Sequence, residues 1–279
     1  MRNSWNILTF MFWAWKITNR WLYAWMLSAF LGGCAYPLIQ QTATEAPAGR
    51  EEVQILLYHH IEDAPATITA AQHRWYVSPQ KFAAQMDWLA AQGFHPITMT
   101  ELIAHKKNND ALPSNPIVIT FDDGWKDNYS VVLPILKKHA FMATFFVITV
   151  SIGHSAYMDW EEVQTLSAAG MDVEPHSDTH PMLTRLSHKE ARREIVDSKS
   201  ILESRLNKQT SVFAYPYGDY NNAVISMVKD AGFEAAVAVS GMKKAYVSRT
   251  DPLYTLMRYA VEDGDGLEDV ARLKGFYPR

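Results

Sequence analysis

Along this chain, short apolar runs alternate with longer stretches whose apolar residues recur every three or four positions. The runs at 53–58, 94–99, 116–121, 143–149, 171–175, 211–216 and 235–239 are rich in β-branched and aromatic residues. Continuous apolar runs of this length predict strands buried on both faces, as in a parallel sheet. The stretches at 79–92, 128–139, 160–169, 187–206, 221–231 and 265–274 read as helices. In the 187–206 stretch, Ile195, Ile201, Leu202 and Leu206 fall at helical spacing with charges elsewhere, predicting an outer amphipathic helix. Pro134 allows a helix over 128–139 only with a kink or break. Asp159-Trp160-Glu161-Glu162 reads as a helix start with an acidic first turn. Strand and helix alternate throughout, so the fold class is α/β, and about 230 residues suit one barrel domain.

The first fifty residues do not share this alternation. Arg2, Lys16 and Arg20 precede the apolar stretch from Trp21 to Phe30, and Leu31-Gly32-Gly33-Cys34 follows. A basic start, an apolar core and small residues before a cleavage point describe a secretory signal. The apolar part is short of the ~20 residues that span a bilayer, although an uncleaved anchor is the alternative. The Leu-Gly-Gly-Cys ending resembles a bacterial lipobox, which makes Cys34 the expected lipidation site and first mature residue. Cys34 is the only cysteine, so no disulfide forms within the chain. Residues 1–33 are then a lipoprotein signal peptide, 34–50 a polar tether and 51–279 the domain. The expected location is the bacterial cell envelope, lipid-anchored to a membrane and facing the periplasm.

Composition narrows the classes further. Hydrophobic residues make up 48% of the chain, enough for a sizeable core. With a formal net charge of −4, nothing in the composition suggests nucleic acid as a partner.

The candidate chemistry lies in two segments, Thr120-Phe121-Asp122-Asp123-Gly124 and His176-Ser177-Asp178-Thr179-His180-Pro181. The first ends an apolar run, at the strand edge where barrel chemistry gathers. Adjacent side chains there point different ways, so Asp122 and Asp123 can take different tasks. Two carboxylates this close resist joint ionisation unless a cation sits between them. His176 and His180, at i and i+4, converge on one atom if the segment forms a helical turn. One carboxylate and two imidazoles can cap a divalent metal and leave positions open, with the second carboxylate free to act as a base. This is the parts list of a metal-assisted hydrolase. His59 ends the run 53–58 at another strand edge, and its neighbour His60 points elsewhere.

These motifs resemble those of the polysaccharide deacetylases, the NodB homology domain of carbohydrate esterase family 4, over about residues 51–279. Residues 120–124 match the family's first motif, T-F-D-D-G, and residues 176–181 its second, H-[ST]-x-[ST]-H-P. The resemblance implies a distorted, incomplete (β/α) barrel, with Asp122 as the catalytic base and Asp123, His176 and His180 holding the metal. The family's third motif, R-x-P-Y-G, keeps its Pro-Tyr-Gly here, but Ala214 stands where the arginine that pairs with the base is expected. The run Ile55-Leu56-Leu57-Tyr58-His59-His60-Ile61 resembles the PgaB and IcaB type of exported poly-β-1,6-N-acetylglucosamine N-deacetylases, as do 78–82 and 213–221. In that type the acid histidine lies near the domain's start, which implies His59 here.

The implied reaction is hydrolysis of a sugar N-acetyl group, with Asp122 taking a proton from water, the Tyr217 amide stabilising the oxyanion and His59 protonating the leaving amine. Trp125, Trp160, Tyr215, Tyr217 and Tyr220 are candidates for a sugar platform. The donor set suits zinc, cobalt or nickel, with zinc expected. The expected partners are the polysaccharide, a membrane through the lipid anchor, and separate glycan synthase or export proteins. Deacetylation of peptidoglycan or of an O-acetylated glycan is the alternative reaction. An inactive glycan-binding barrel is the alternative class, and Ala214 is the feature that favours it.

Overall fold

The computed structural model describes residues 52–239 and 246–265. The expected signal peptide, the tether, Cys34 and all but the first residue of the expected 265–274 helix lie outside them. In chain order the elements are β1 (Glu52–Tyr58), α1 (Ala70–His73), α2 (Pro79–Ala91), β2 (His95–Ile97), α3 (Met99–Asn108), β3 (Pro116–Phe121), α4 (Leu133–Lys138), β4 (Thr144–Val147), α5 (Trp160–Ala168), β5 (Asp172–Pro175), α6 (His188–Leu206), β6 (Val212–Ala214), α7 (Asn222–Asp230), β7 (Ala235–Val239), β8 (Tyr246–Ser248) and β9 (Leu256–Ala260). No helix among the described residues is long and apolar enough to cross a membrane.

The strands run in the order β5-β4-β3-β1-β9-β7-β6, every neighbouring pair parallel, with β2 beside β3 and β8 antiparallel on β1. The sheet curls into a nearly closed barrel, the distorted (β/α) barrel expected. β5 and β6 end the path and are not paired with each other. Across that seam Glu174 Oε2 accepts the N–H groups of Ser211 and Val212 at 2.9 and 3.0 Å.

Alternation along each strand divides the core. Val53, Ile55, Val118, Phe146, Val212, Ala214, Val237 and Leu256 form one buried cluster with Met99, Leu102 and Ile103 of α3. Their positions on six different strands mark them as the barrel interior. Leu56, Tyr58, Ile119, Phe121 and Phe145 face the other way and meet α2, α4 and α5. Phe213, Tyr215, Ala236 and Ala238 meet α6 and α7.

The expected strands all form, four of them (94–99, 143–149, 171–175 and 211–216) shortened. The 94–99 run stops at Ile97 because Thr98 and Glu101 make a capping box that starts α3, a helix the apolar pattern did not reveal. The 128–139 helix is in fact two pieces: a π-helical turn at Asn128–Val132, then α4 with Pro134 in its first turn. The π-helical turn, in which the Leu133 N–H reaches back five residues to the Asn128 carbonyl, is the break that goes with Pro134. Two unforeseen strands, β8 and β9, flank β1.

Candidate active site

Register brings the strand ends to one level. Tyr58 pairs with Phe121, and the Asp122 N–H extends that ladder by donating to the Tyr58 carbonyl at 3.0 Å. His176 N–H likewise donates to the Val147 carbonyl at 2.9 Å. His59, Asp122, Asp123 and His176 therefore leave the sheet at the same edge. With His180, they line a cleft of about 550 Å³.

Asp122 is buried against Arg258 of β9. Arg258 Nη1 donates to Oδ1 and Nη2 to Oδ2, each at 2.7 Å, and Nη1 also reaches Thr120 Oγ1 at 3.2 Å. Burial acts to raise the Asp122 pKa, but the Arg258 charge, the His176 charge and the Arg258 hydrogen bonds outweigh it and hold the group at about 2. The expectation drawn from Ala214 is thereby corrected. A buried guanidinium does meet Asp122, delivered from inside the barrel by another strand. The signal in the sequence was one charge in the apolar run Leu256-Met257-Arg258-Tyr259-Ala260-Val261.

Asp123 turns away from the strand at φ +75°, followed by Gly124 at φ +85°. A Cβ on Gly124 would stand 3.0 Å from Val147 Cγ1, so glycine alone fits this turn. Asp123 Oδ1 lies 3.7 Å from His176 Nε2 and 3.6 Å from His180 Nε2, and the two Nε2 atoms are 3.2 Å apart. His176 Nδ1–H donates to the Ala214 carbonyl at 2.9 Å, which leaves the lone pair on Nε2. Burial, then the neighbouring His176, pushes the His180 pKa down to about 4. Two imidazole nitrogens and a carboxylate oxygen converging this closely fit a divalent ion with ligand bonds of about 2.0–2.2 Å.

The histidines do not converge through a helical turn. Ser177 and His180 both adopt left-handed backbone, at φ +61° and +63°. The loop is held instead by Ser177 Oγ, which accepts the His180 N–H, and by Glu194 of α6, which accepts the N–H groups of Asp178 and Thr179. Asp123, Ser177, His180 and Tyr217 all have positive φ, strain that the surrounding fold must maintain at about 1–3 kcal/mol each.

His59 faces the same cleft, its ring 4.5 Å from Trp75 and its buried Nδ1 without a hydrogen-bond partner. Burial lowers its pKa against the opposing pull of Asp123 and Asp122.

The aromatics divide. Tyr217 is 61% exposed, at φ +60°, with its ring 4.5 Å from His180. In its turn the Gly218 and Asp219 N–H groups are taken up by the Tyr215 and Pro216 carbonyls. Tyr215 is buried, its hydroxyl donating to the Tyr254 carbonyl and its ring stacked on Tyr220, so it is wall rather than platform. Trp125 lines the cleft and is held on two sides. Its ring is stacked on by His60 and Tyr157, and its Nε1–H donates to Asp123 Oδ2 at 3.0 Å. Trp160 does not line the cleft; it opens α5, packs on the outer core and lies under the Arg205 guanidinium.

Comparison with known proteins gives the family. Residues 109–236 match the model of the polysaccharide deacetylase family. YxkH of Bacillus subtilis, itself assigned to the polysaccharide deacetylases, is 31% identical over 222 residues, covering 79% of this chain and 74% of YxkH. The poly-β-1,6-N-acetyl-D-glucosamine N-deacetylase of Staphylococcus aureus is 25% identical over 217 residues, 73% of each chain. The structure of the Streptococcus pyogenes deacetylase PplD in complex with acetate superposes with a TM-score of 0.74 at 27% identity, covering 82% of this chain and all of PplD. IcaB from Ammonifex degensii shares the fold, with a TM-score of 0.69 at 23% identity over 80% of this chain and 97% of IcaB. The motifs, the barrel and the relatives converge: the chain belongs to the polysaccharide deacetylase family, hydrolases that remove acetyl groups from glycans.

Proposed function

We propose that the protein removes N-acetyl groups from an envelope or extracellular polysaccharide, poly-β-1,6-N-acetyl-D-glucosamine first among them, with a divalent ion, zinc, at Asp123, His176 and His180. The observation that carries the reading is a single imidazole nitrogen, His176 Nε2, standing 3.7 Å from both Asp122 and Asp123. It joins an arginine-paired carboxylate to a three-atom ligand set. A bound ion at that set supplies Lewis-acid polarisation of the acetyl carbonyl and can lower the pKa of water there from about 15.7 toward 7.

The chain's own groups divide the remaining work. Asp122, ionised at any pH above its depressed pKa, accepts the proton of the attacking water. Arg258 holds both its oxygens, which fixes its orientation. The Tyr217 N–H donates to the oxyanion, a contribution of about 3 kcal/mol in such sites. His59 gives a proton to the departing amine. Burial disfavours the charged His59, so the imidazolium is a ready acid once formed. Arg258 answers the objection raised by Ala214, which favours an enzyme over an inactive binding barrel.

The glycan assignment is supported by the Staphylococcus aureus relative and by Tyr58-His59 at the head of the barrel. The test is acetate release from β-1,6-linked N-acetylglucosamine oligomers by the full chain, with chelator and then with zinc, cobalt or nickel restored. Metal-dependent release establishes enzyme and glycan together. Release from peptidoglycan or an O-acetylated glycan alone would move the substrate, and silence across the panel by the metal-loaded protein would return the binding barrel. The same proposal places the enzyme in the cell envelope through lipid on Cys34, beside separate synthase or export proteins. Unchanged membrane retention and gel mobility of Cys34→Ser would refute the anchor.

A further inference from the structure

Beyond the ligand set, the described residues hold a second cluster that the proposed reaction does not use. His60, Glu62 and Asp127 bring one ligand-type atom each within 4.8 Å of one another. The His60 side chain is 11% exposed, with Nδ1 at 3.2 Å from Asp127 Oδ2 and 3.3 Å from Glu62 Oε1. Ionised carboxylates only accept, so that nitrogen carries the proton. Asp127 is buried too. Its Oδ1 accepts from Asn128 Nδ2 at 2.7 Å, and the same Nδ2 reaches the His59 carbonyl at 3.1 Å.

The His60 ring stacks on Tyr76 at 4.1 Å and 6°, and on Trp125 at 4.1 Å and 30°. Trp125 in turn stacks on Tyr157 at 4.3 Å and 20°. Four rings thus form one stack, and its third member donates Nε1–H to Asp123 Oδ2 at 3.0 Å. An indole N–H points only where its ring plane points. The stack fixes that plane, and Asp127 and Glu62 fix His60 within the stack.

We infer that His60 is a positioning residue for Asp123: braced by Asp127 and Glu62, it holds Trp125 in the plane from which the indole N–H fixes Asp123 Oδ2, leaving Oδ1 toward the two histidines. The inference rests on the reading of Asp123, His176 and His180 as metal ligands. Partners that hold a ligand's second atom are typically worth about 10–100-fold in metal affinity. His60 acts one contact further away, so its removal costs less than removal of the indole N–H.

The test is zinc affinity of the full chain by competition with a chromophoric chelator, beside the melting temperature of each metal-free variant. Trp125→Phe keeps the ring and loses the donor; it weakens zinc binding about tenfold. His60→Ala weakens it several-fold, and excess zinc restores its deacetylase activity, which a merely structural defect would not allow. Because His60 works through Trp125, the double variant binds no more weakly than Trp125→Phe alone. If His60→Ala fails to fold, the nearly isosteric Asp127→Asn carries the test in the same direction. Wild-type affinity in His60→Ala, or losses that multiply in the double variant, would overturn the inference. So would two zinc ions per chain with the second lost in His60→Ala, since His60 would then be a ligand. Asp123→Ala separates the two levels. If it keeps full zinc affinity, the ligand assignment fails and the inference falls with it. If it loses zinc while His60→Ala and Trp125→Phe do not, only the inference fails.

Discussion

Asp122 is a carboxylate whose two oxygens are both held by one guanidinium, and this decides how it behaves. With its pKa held at about 2, it stays ionised through the mildly acidic range. The sign is that of a depressed group: its stabilising contribution is present above the unfolded value near 4 and fades only as the pH falls toward 2. Asp122→Asn should therefore keep the metal and the fold while acetate release falls by about 10²–10⁴. Arg258→Lys keeps the charge but loses the two-pronged hydrogen bond. Its kcat/KM should fall by roughly tenfold, and the acid limb of its pH profile should move upward, because burial, which raises the Asp122 pKa, is then less opposed. A profile that superposes on the wild type would contradict this role. Asp122, Asp123, His176 and His180 were legible because each sits in a short local motif. Arg258 was not, since its partner lies 136 residues away.

At the scale of elements, the open seam between β5 and β6 carries its own signature. Glu174 bridges it, and burial, with the nearby Asp172 charge adding, raises its pKa to about 8 despite the two backbone N–H groups it accepts. A raised carboxyl is stabilising while protonated. The folded protein therefore loses stability as the pH climbs from the unfolded value, about 4.5, through 8. Glu174→Gln preserves the acceptor and cannot ionise. Its melting temperature should match the wild type near pH 4 and exceed it by several degrees at pH 8.5. A constant difference across that range would show that Glu174 is not the titrating group. The turn after β3 is equally specific. Gly124→Ala forces a Cβ against Val147 at positive φ, and should cost about 1–3 kcal/mol in urea unfolding while weakening the metal through Asp123. Periodicity revealed the long elements. It missed α3, whose start depends on the Thr98–Glu101 cap, and β9, whose charged residue breaks the apolar run that marks a buried strand.

For the whole molecule, the candidate metal site joins β3 to the loop after β5, so an ion there would hold together strands separated by β4 in the sheet. An ion present at a hundred times its dissociation constant adds about 2.7 kcal/mol to the folded state. Chelation should lower the melting temperature by several degrees in the wild type and leave Asp123→Ala unmoved, a comparison that differential scanning fluorimetry reads directly. Equal shifts in both would place the ion elsewhere.

By itself the sequence determined the α/β class, the positions of seven strands, and the carboxylates and histidines that the fold gathers at one cleft. Those features are local: a buried strand declares itself by composition, and a ligand pair by spacing. Only the tertiary structure decided which arginine meets Asp122, that the Trp125 indole N–H reaches Asp123, and that Trp160 stands outside the cleft. Each of these depends on which strand lies beside which and in what register, and pairing between distant segments leaves no periodic trace in the chain.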